Sequence, residues 1–74
     1  MKYLVVFEKG PTNWGAYVPD LPGCVSVGDT LDEAKEMIRE AIEGHLEVMR
    51  DFGDPIPEPS TRFELIEVSA PVAR

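Results

Sequence analysis

Residues 28–53 read GDTLDEAKEMIREAIEGHLEVMRDFG, and this stretch decides the fold. Thr30 followed three positions later by Glu33 is a capping box: the hydroxyl accepts from the third helical amide and the carboxylate reaches back. Asp32 and Glu33 also suit the positive end of a helix dipole. Leu31, Ala34, Met37, Ile38, Ala41, Ile42, His45, Leu46, Val48, Met49 and Phe52 fall on one broad face at helical spacing. Gly53 is placed to take left-handed geometry and stop the run. A helix over about residues 31–52 follows, with an apolar side that must cover a sheet.

The residues before it supply that sheet. Tyr3, Val5 and Phe7 alternate with Leu4, Val6 and Glu8, a strand over about 2–9 with apolar groups on both sides, as a central strand requires. Gly10-Pro11-Thr12-Asn13 is a turn. Trp14, Ala16 and Val18 face away from Tyr17 in a second strand, about 14–18, stopped by the two prolines of Pro19-Asp20-Leu21-Pro22-Gly23. The third, about 24–28, sets Val25 and Val27 against Cys24 and Ser26. Short connections make these three an antiparallel meander.

Beyond the helix, Asp54-Pro55-Ile56-Pro57-Glu58-Pro59-Ser60 is a stiff, extended connector. Phe63, Leu65 and Glu67 then alternate with Glu64, Ile66 and Val68, which predicts a fourth strand over about 63–69. A right-handed crossover lays it parallel to the first. The expected class is therefore α+β, β-β-β-α-β, with a four-stranded mixed sheet in the order 3-2-1-4 and the helix on one face. The other face would leave apolar side chains in water, which points to a homo-oligomer, a dimer or tetramer.

Seventy-four residues allow one domain, 1–74, with a thin core. Cys24 is the only cysteine, so no disulfide closes within the chain, and no Cys/His group has metal-ligand spacing; no cofactor is expected. The N-terminal apolar run is too short for a signal peptide, and nothing approaches the roughly 20 apolar residues of a membrane span. A cytoplasmic protein is the expectation. Fourteen acidic residues against seven basic give a net charge of −7. That balance repels phosphate backbones and argues against direct nucleic-acid binding, while it suits a basic protein partner.

Catalytic candidates are few. His45 lies near the middle of the apolar stripe, where a histidine bonded to a neighbouring strand or loop is a simpler reading than a general base. Cys24 has no cationic neighbour to activate it. Glu8, Asp20 and Asp29 lie at strand ends and define a relic metal-dependent nuclease as one alternative, yet the centre of the first strand, Leu4-Val5-Val6, holds no acid. The polar helix face carries Asp32, Glu36, Glu40, Glu43, Glu47 and Asp51, relieved by Lys35, Arg39 and Arg50. It is either a solvated coat or a surface that steers a basic partner.

One sequence of landmarks is more specific than any single motif. Tyr17-Val18-Pro19-Asp20-Leu21-Pro22-Gly23-Cys24, then Ser26-Val27-Gly28-Asp29-Thr30, Glu33-Ala34, Glu40-Ala41-Ile42, His45-Leu46-Glu47 and Ile56-Pro57-Glu58-Pro59 resemble the HicB family of antitoxins over nearly the whole chain. The resemblance implies a partial RNase H-like fold without catalytic carboxylates. It also implies a non-enzymatic role: occlusion of a HicA-like toxin, a small basic mRNA interferase. Many members continue into a C-terminal DNA-binding module, and this sequence stops at Arg74, so DNA binding is not carried over. The expected partner-binding residues are surface ones, the loop Asp20, Leu21, Pro22 and Gly23 and the helix acids Glu36, Glu40, Glu43 and Glu47. An orphan oligomeric domain of structural or small-ligand role is the other alternative.

Overall fold

The computed structural model describes residues 1–71 and is α+β: three strands, β1 (Val6–Lys9), β2 (Trp14–Tyr17) and β3 (Val25–Gly28), followed by one helix, α1 (Leu31–Asp51). The helix begins where the capping residues put it. Thr30 is extended at φ −125°, and its Oγ1 accepts from the Glu33 amide at 3.1 Å. Glu33 closes the other half of the box on the Asp29 amide, one residue earlier than the standard partner, at 3.2 Å. At the far end Phe52 is the C-cap. The Gly53 amide donates to the Arg50 carbonyl and the Asp54 amide to the Met49 carbonyl, a Schellman arrangement that needs the positive φ of Gly53 (72°).

The sheet is a meander in the order β1-β2-β3, antiparallel throughout. Its register pairs Phe7 with Ala16 and Ala16 with Ser26 on the helix side, and Val6 with Tyr17 and Tyr17 with Val25 on the other. The core is small: Ala16, Val18, Leu21, Cys24, Ala34 and Ile38 are buried, with Tyr3, Val5, Phe7, Ala41, Ile42, Leu46 and Met49 packed around them. The helix can sit this close because Gly28 ends β3. A Cβ there would lie 2.5 Å from the Ala34 nitrogen and 2.9 Å from its Cα, so α1 rests directly on the strand backbone.

The helix packs chiefly on β3 and β2. Three strands are narrower than the apolar stripe of α1, and the stripe is not wholly covered: Met37, Val48 and Phe52 stay exposed. The sheet face away from the helix is bare, with Tyr17, Val25 and Val27 in water.

The fourth strand does not form within the chain, so the expected order 3-2-1-4 gives way to a three-stranded sheet. Residues 54–71 have no regular structure, and Phe63, Leu65, Ile66 and Val68 are exposed. The cause is local. The Tyr3 hydroxyl donates to the Pro57 carbonyl, and the Asp20 carboxylate takes hold of Ser60 and Thr61. Asp20 belongs to the β2–β3 connection, so the chain is led past β1 toward that loop, and the residues after Thr61 are not laid along the open edge of β1.

Candidate partner-binding surface

Between Val18 and Cys24 the chain makes two successive tight turns. The Leu21 amide donates to the Val18 carbonyl across Pro19-Asp20, at 3.0 Å, and the Cys24 amide to the Leu21 carbonyl across Pro22-Gly23, also at 3.0 Å. Proline followed by a glycine at φ 84° is what a type II turn demands. The Val18 amide closes the loop on the Cys24 carbonyl. This double turn drives Leu21 inward until it is 0% exposed. Leu21 is therefore not a surface contact, as the sequence had suggested, but the plug that holds the loop to the core. Pro22 and Gly23 are exposed at its tip.

Asp20, pushed outward by the same turns, is a clamp. Its Oδ2 accepts from the amides of Ser60 and Thr61, both at 2.9 Å, and its Oδ1 accepts from their hydroxyls, Thr61 at 2.6 Å and Ser60 at 3.2 Å. Four donors to one carboxylate favour its ionised form, and the Thr61 hydroxyl, the Thr61 amide and the Ser60 amide, in that order, hold its pKa down at about 2 from the ordinary 3.8. The sequence offered Asp20 as a contact and was silent on Ser60 and Thr61. The signal was present, since a Pro-Ser-Thr triplet after a proline-stiffened connector presents hydroxyls and free amides together, but it names no partner forty residues away.

The helix acids fall where the period puts them. Glu36, Glu40, Glu43 and Glu47 are all exposed, on the side opposite the buried Ala34 and Ile38. Their pairing is slight: Glu36 reaches Arg39 at 3.9 Å across exposed side chains. The Arg50–Asp51 pair, 3.5 Å, lies at the helix end. Exposed pairs of this kind contribute little, so the ridge keeps its negative field.

Two grooves flank the helix. The first, about 680 Å³, runs between α1 and β1, floored by Tyr3, Val5, Phe7, Ile38, Ile42 and Leu46, with Lys35, Arg39 and Glu43 on its rim. The second, about 580 Å³, lies on the other side of α1 against the Pro22–Val25 loop and includes Glu40, Gly44, His45 and Val48. His45 is half-buried there and makes no side-chain hydrogen bond among the described residues, so the expected bond to a strand or loop is absent. Cys24 is buried and its thiol pKa is raised by desolvation, the opposite of what a nucleophile needs. Glu8, Asp20 and Asp29 do not converge: among the described residues no three His, Cys, Asp or Glu side chains gather closely enough to hold a metal ion.

The geometry comprises an acidic ridge, a clamped loop and two shallow apolar grooves. Residues 3–70 match the HicB-like antitoxin family of bacterial toxin–antitoxin systems. The chain belongs to that family. Antitoxin HicB 2 of Photorhabdus laumondii is 36% identical over 74 residues, 99% of this chain and 53% of that protein. An uncharacterised 14.9 kDa protein of Haemophilus phage HP1 is 41% identical over 58 residues, 78% of this chain and 44% of that one. The chain thus spans about half the length of these two relatives, whereas it covers 80% of a UPF0150 protein of Archaeoglobus fulgidus, at 42% identity over 55 residues. Among solved structures, a chain of the HicA3 and HicB3 toxin–antitoxin complex superposes with a TM-score of 0.70 at 28% identity, over 81% of this chain and 70% of that one. The α+β body of three antiparallel strands and one helix is thus shared with a chain of that complex. Among the described residues no helix is long and apolar enough to cross a membrane.

Proposed function

We propose that this chain is an antitoxin, or the toxin-binding domain of one, that silences a HicA-like basic mRNA interferase by covering its active surface and performs no catalysis itself. One observation carries the reading: at 28% identity the body superposes on a chain of a HicA3 and HicB3 complex. The net charge of −7 supports it, because a basic toxin is drawn to an acidic ridge and the encounter is faster for it. The members of the expected set that are not buried are the proposed contacts: half-buried Asp20 with exposed Pro22 and Gly23 at the loop, and exposed Glu36, Glu40, Glu43 and Glu47 on α1. Action by occlusion needs no cofactor and no nucleic-acid contact from these residues, and its place is the cytoplasm, where mRNA is the toxin's target. The chain works as a single domain over residues 1–74 and as a homo-oligomer.

The test is growth rescue and calorimetry with a HicA-type toxin. Co-expression is expected to restore growth that the toxin alone arrests. Charge reversal, Glu40→Lys with Glu47→Lys, is expected to weaken binding at low salt by about tenfold or more and to flatten its salt dependence, since both follow from loss of steering charge. Absence of rescue would refute the antitoxin role. An unchanged affinity and salt slope in the double variant would show the ridge to be solvated only and move the contact to the loop or the grooves.

A further inference from the structure

We propose that the groove between α1 and the Pro22–Val25 loop is the seat of the toxin, and that it takes a short extended segment, apolar in the middle and basic at its ends, laid along the helix over Gly44. The inference rests on the toxin-binding reading and adds to it a place and a shape. It starts from Gly44. Inside a helix glycine is the least favourable residue after proline, and Gly44 lies in the interior of the 21 residues of α1. The fold gives no reason for it: outside the helix's own backbone, a Cβ there would meet nothing within 4 Å. Gly28 is the contrast, since a Cβ at that position would strike the backbone of α1. A bare patch of helix that nothing within the chain requires is what the close approach of another backbone needs.

The surroundings of Gly44 are apolar and uncovered. Glu40, Gly44 and Val48 stand on one line of the helix, one turn apart, and the loop forms the opposite wall. Val48 on the helix wall is 54% exposed and Val25 on the loop wall 64%, so both walls hold apolar surface in water. His45 is half-buried beside them and makes no side-chain hydrogen bond among the described residues, which leaves its ring nitrogens for the backbone of an occupant. Val25 also begins β3, an outer strand in the order β1-β2-β3, so the groove opens onto an unpaired strand edge.

Charge selects the occupant and chooses between the two grooves. Among the described residues, the charged side chains that line this groove are Glu40 and Asp54, with no Lys or Arg. The groove on the other side of α1 carries Lys35 and Arg39 on its rim, which repel a basic partner. Glu40 and Asp54 lie toward opposite ends: about 18 Å of helix separates residue 40 from the C-cap Phe52, and Asp54 follows at once. An extended segment covers that length with about five or six residues. Its end cations then meet the two carboxylates, and its middle lies on Gly44 between Val48 and the loop.

Gly44→Leu separates binding from folding, because its two effects have opposite signs. The helix gains by losing a glycine, so the free protein should melt about 3–6 °C higher. The added side chain stands on the groove floor, so calorimetry with the HicA-type toxin should give a dissociation constant raised tenfold or more. Gly44→Ala should do both to a lesser degree. Arg39→Ala, on the rim of the other groove, should not weaken binding. An undiminished affinity in Gly44→Leu, or a loss as large in Arg39→Ala, would overturn this inference and leave the antitoxin role standing. A lower melting temperature in Gly44→Leu would show that the glycine serves the fold, and would overturn it too. Absence of binding by the unaltered protein would overturn both readings. Light scattering on the free protein tests the other occupant: a smaller mass in Gly44→Leu with toxin affinity unchanged would assign the groove to a second copy and refute the proposal.

Discussion

Replacing Gly28 with alanine tests whether α1 is held in place by direct contact with the backbone of β3. The added Cβ would come within 2.5 Å of the Ala34 nitrogen and 2.9 Å of the Glu33 carbonyl carbon. That is roughly 1 Å short of ordinary van der Waals contact, and both neighbours are helix backbone, which cannot swing aside as a side chain can. Two effects oppose each other. Removing a strand glycine stabilises by about 0.5–1 kcal/mol through the unfolded chain. Overpacking costs about 1–3 kcal/mol, toward the upper end where backbone meets backbone, and lifting the helix also loosens the buried Ala34 and Ile38. The net expectation is a loss of about 2 kcal/mol. For a domain of this size that lowers the melting temperature by roughly 8–16 °C. Gly15→Ala is the internal control. It replaces another strand glycine, but its Cβ would meet nothing nearer than the Glu8 carbonyl oxygen at 3.9 Å, so it should be neutral or slightly stabilising. Thermal and urea unfolding followed by far-UV circular dichroism, at one fixed protein concentration, measure both. If the two variants agree within about 0.5 kcal/mol, the contact at Gly28 is not what seats the helix.

Two further outcomes concern the loop. Leu21→Ala removes the most deeply buried side chain, at an expected cost of about 2–5 kcal/mol, a large part of the roughly 4–11 kcal/mol that a chain of 74 residues possesses; urea midpoints measure it, and a change below 1 kcal/mol would contradict the plug role. Asp20→Asn keeps the shape but turns one acceptor into a donor facing donors, so hydrogen exchange at the Ser60 and Thr61 amides should accelerate while the helix amides are unaffected. Acid should mimic it. Because the folded pKa, about 2, lies below the ordinary 3.8, the clamp is intact above pH 4 and weakens only as the pH falls toward 2. Loss of the Ser60 and Thr61 contacts already at pH 5 would refute it. The charge-reversal experiment above completes the set.

Much of this protein was legible in its chain order. Thr30, Glu33 and Gly53 mark the helix ends because capping is a contest among neighbouring backbone groups, settled within a few residues. The alternation of residues 3–8, 14–18 and 24–28 marks the strands and their inner faces, because a pleat has period two and the short turns leave one pairing open. Pro22-Gly23 likewise dictates its own turn, and the net charge depends on composition alone. The candidate contact set was legible only as a turn and a row of acidic helix positions. The sequence placed the helix acids on the solvent side, but it could not separate Leu21, which the double turn buries, from Asp20, which the same turn leaves half-buried and bonded to Ser60 and Thr61.

What the tertiary structure alone decided are the matters that turn on distance between remote residues. Asp20 meets Ser60 and Thr61 across forty positions, and that clamp, not the strand propensity of residues 63–68, determines where the last segment goes. A local pattern can state that a segment is fit to be a strand. Whether an open edge lies within its reach is fixed by the path of the connector and by which strands the helix covers, and here both leave the segment outside its own sheet.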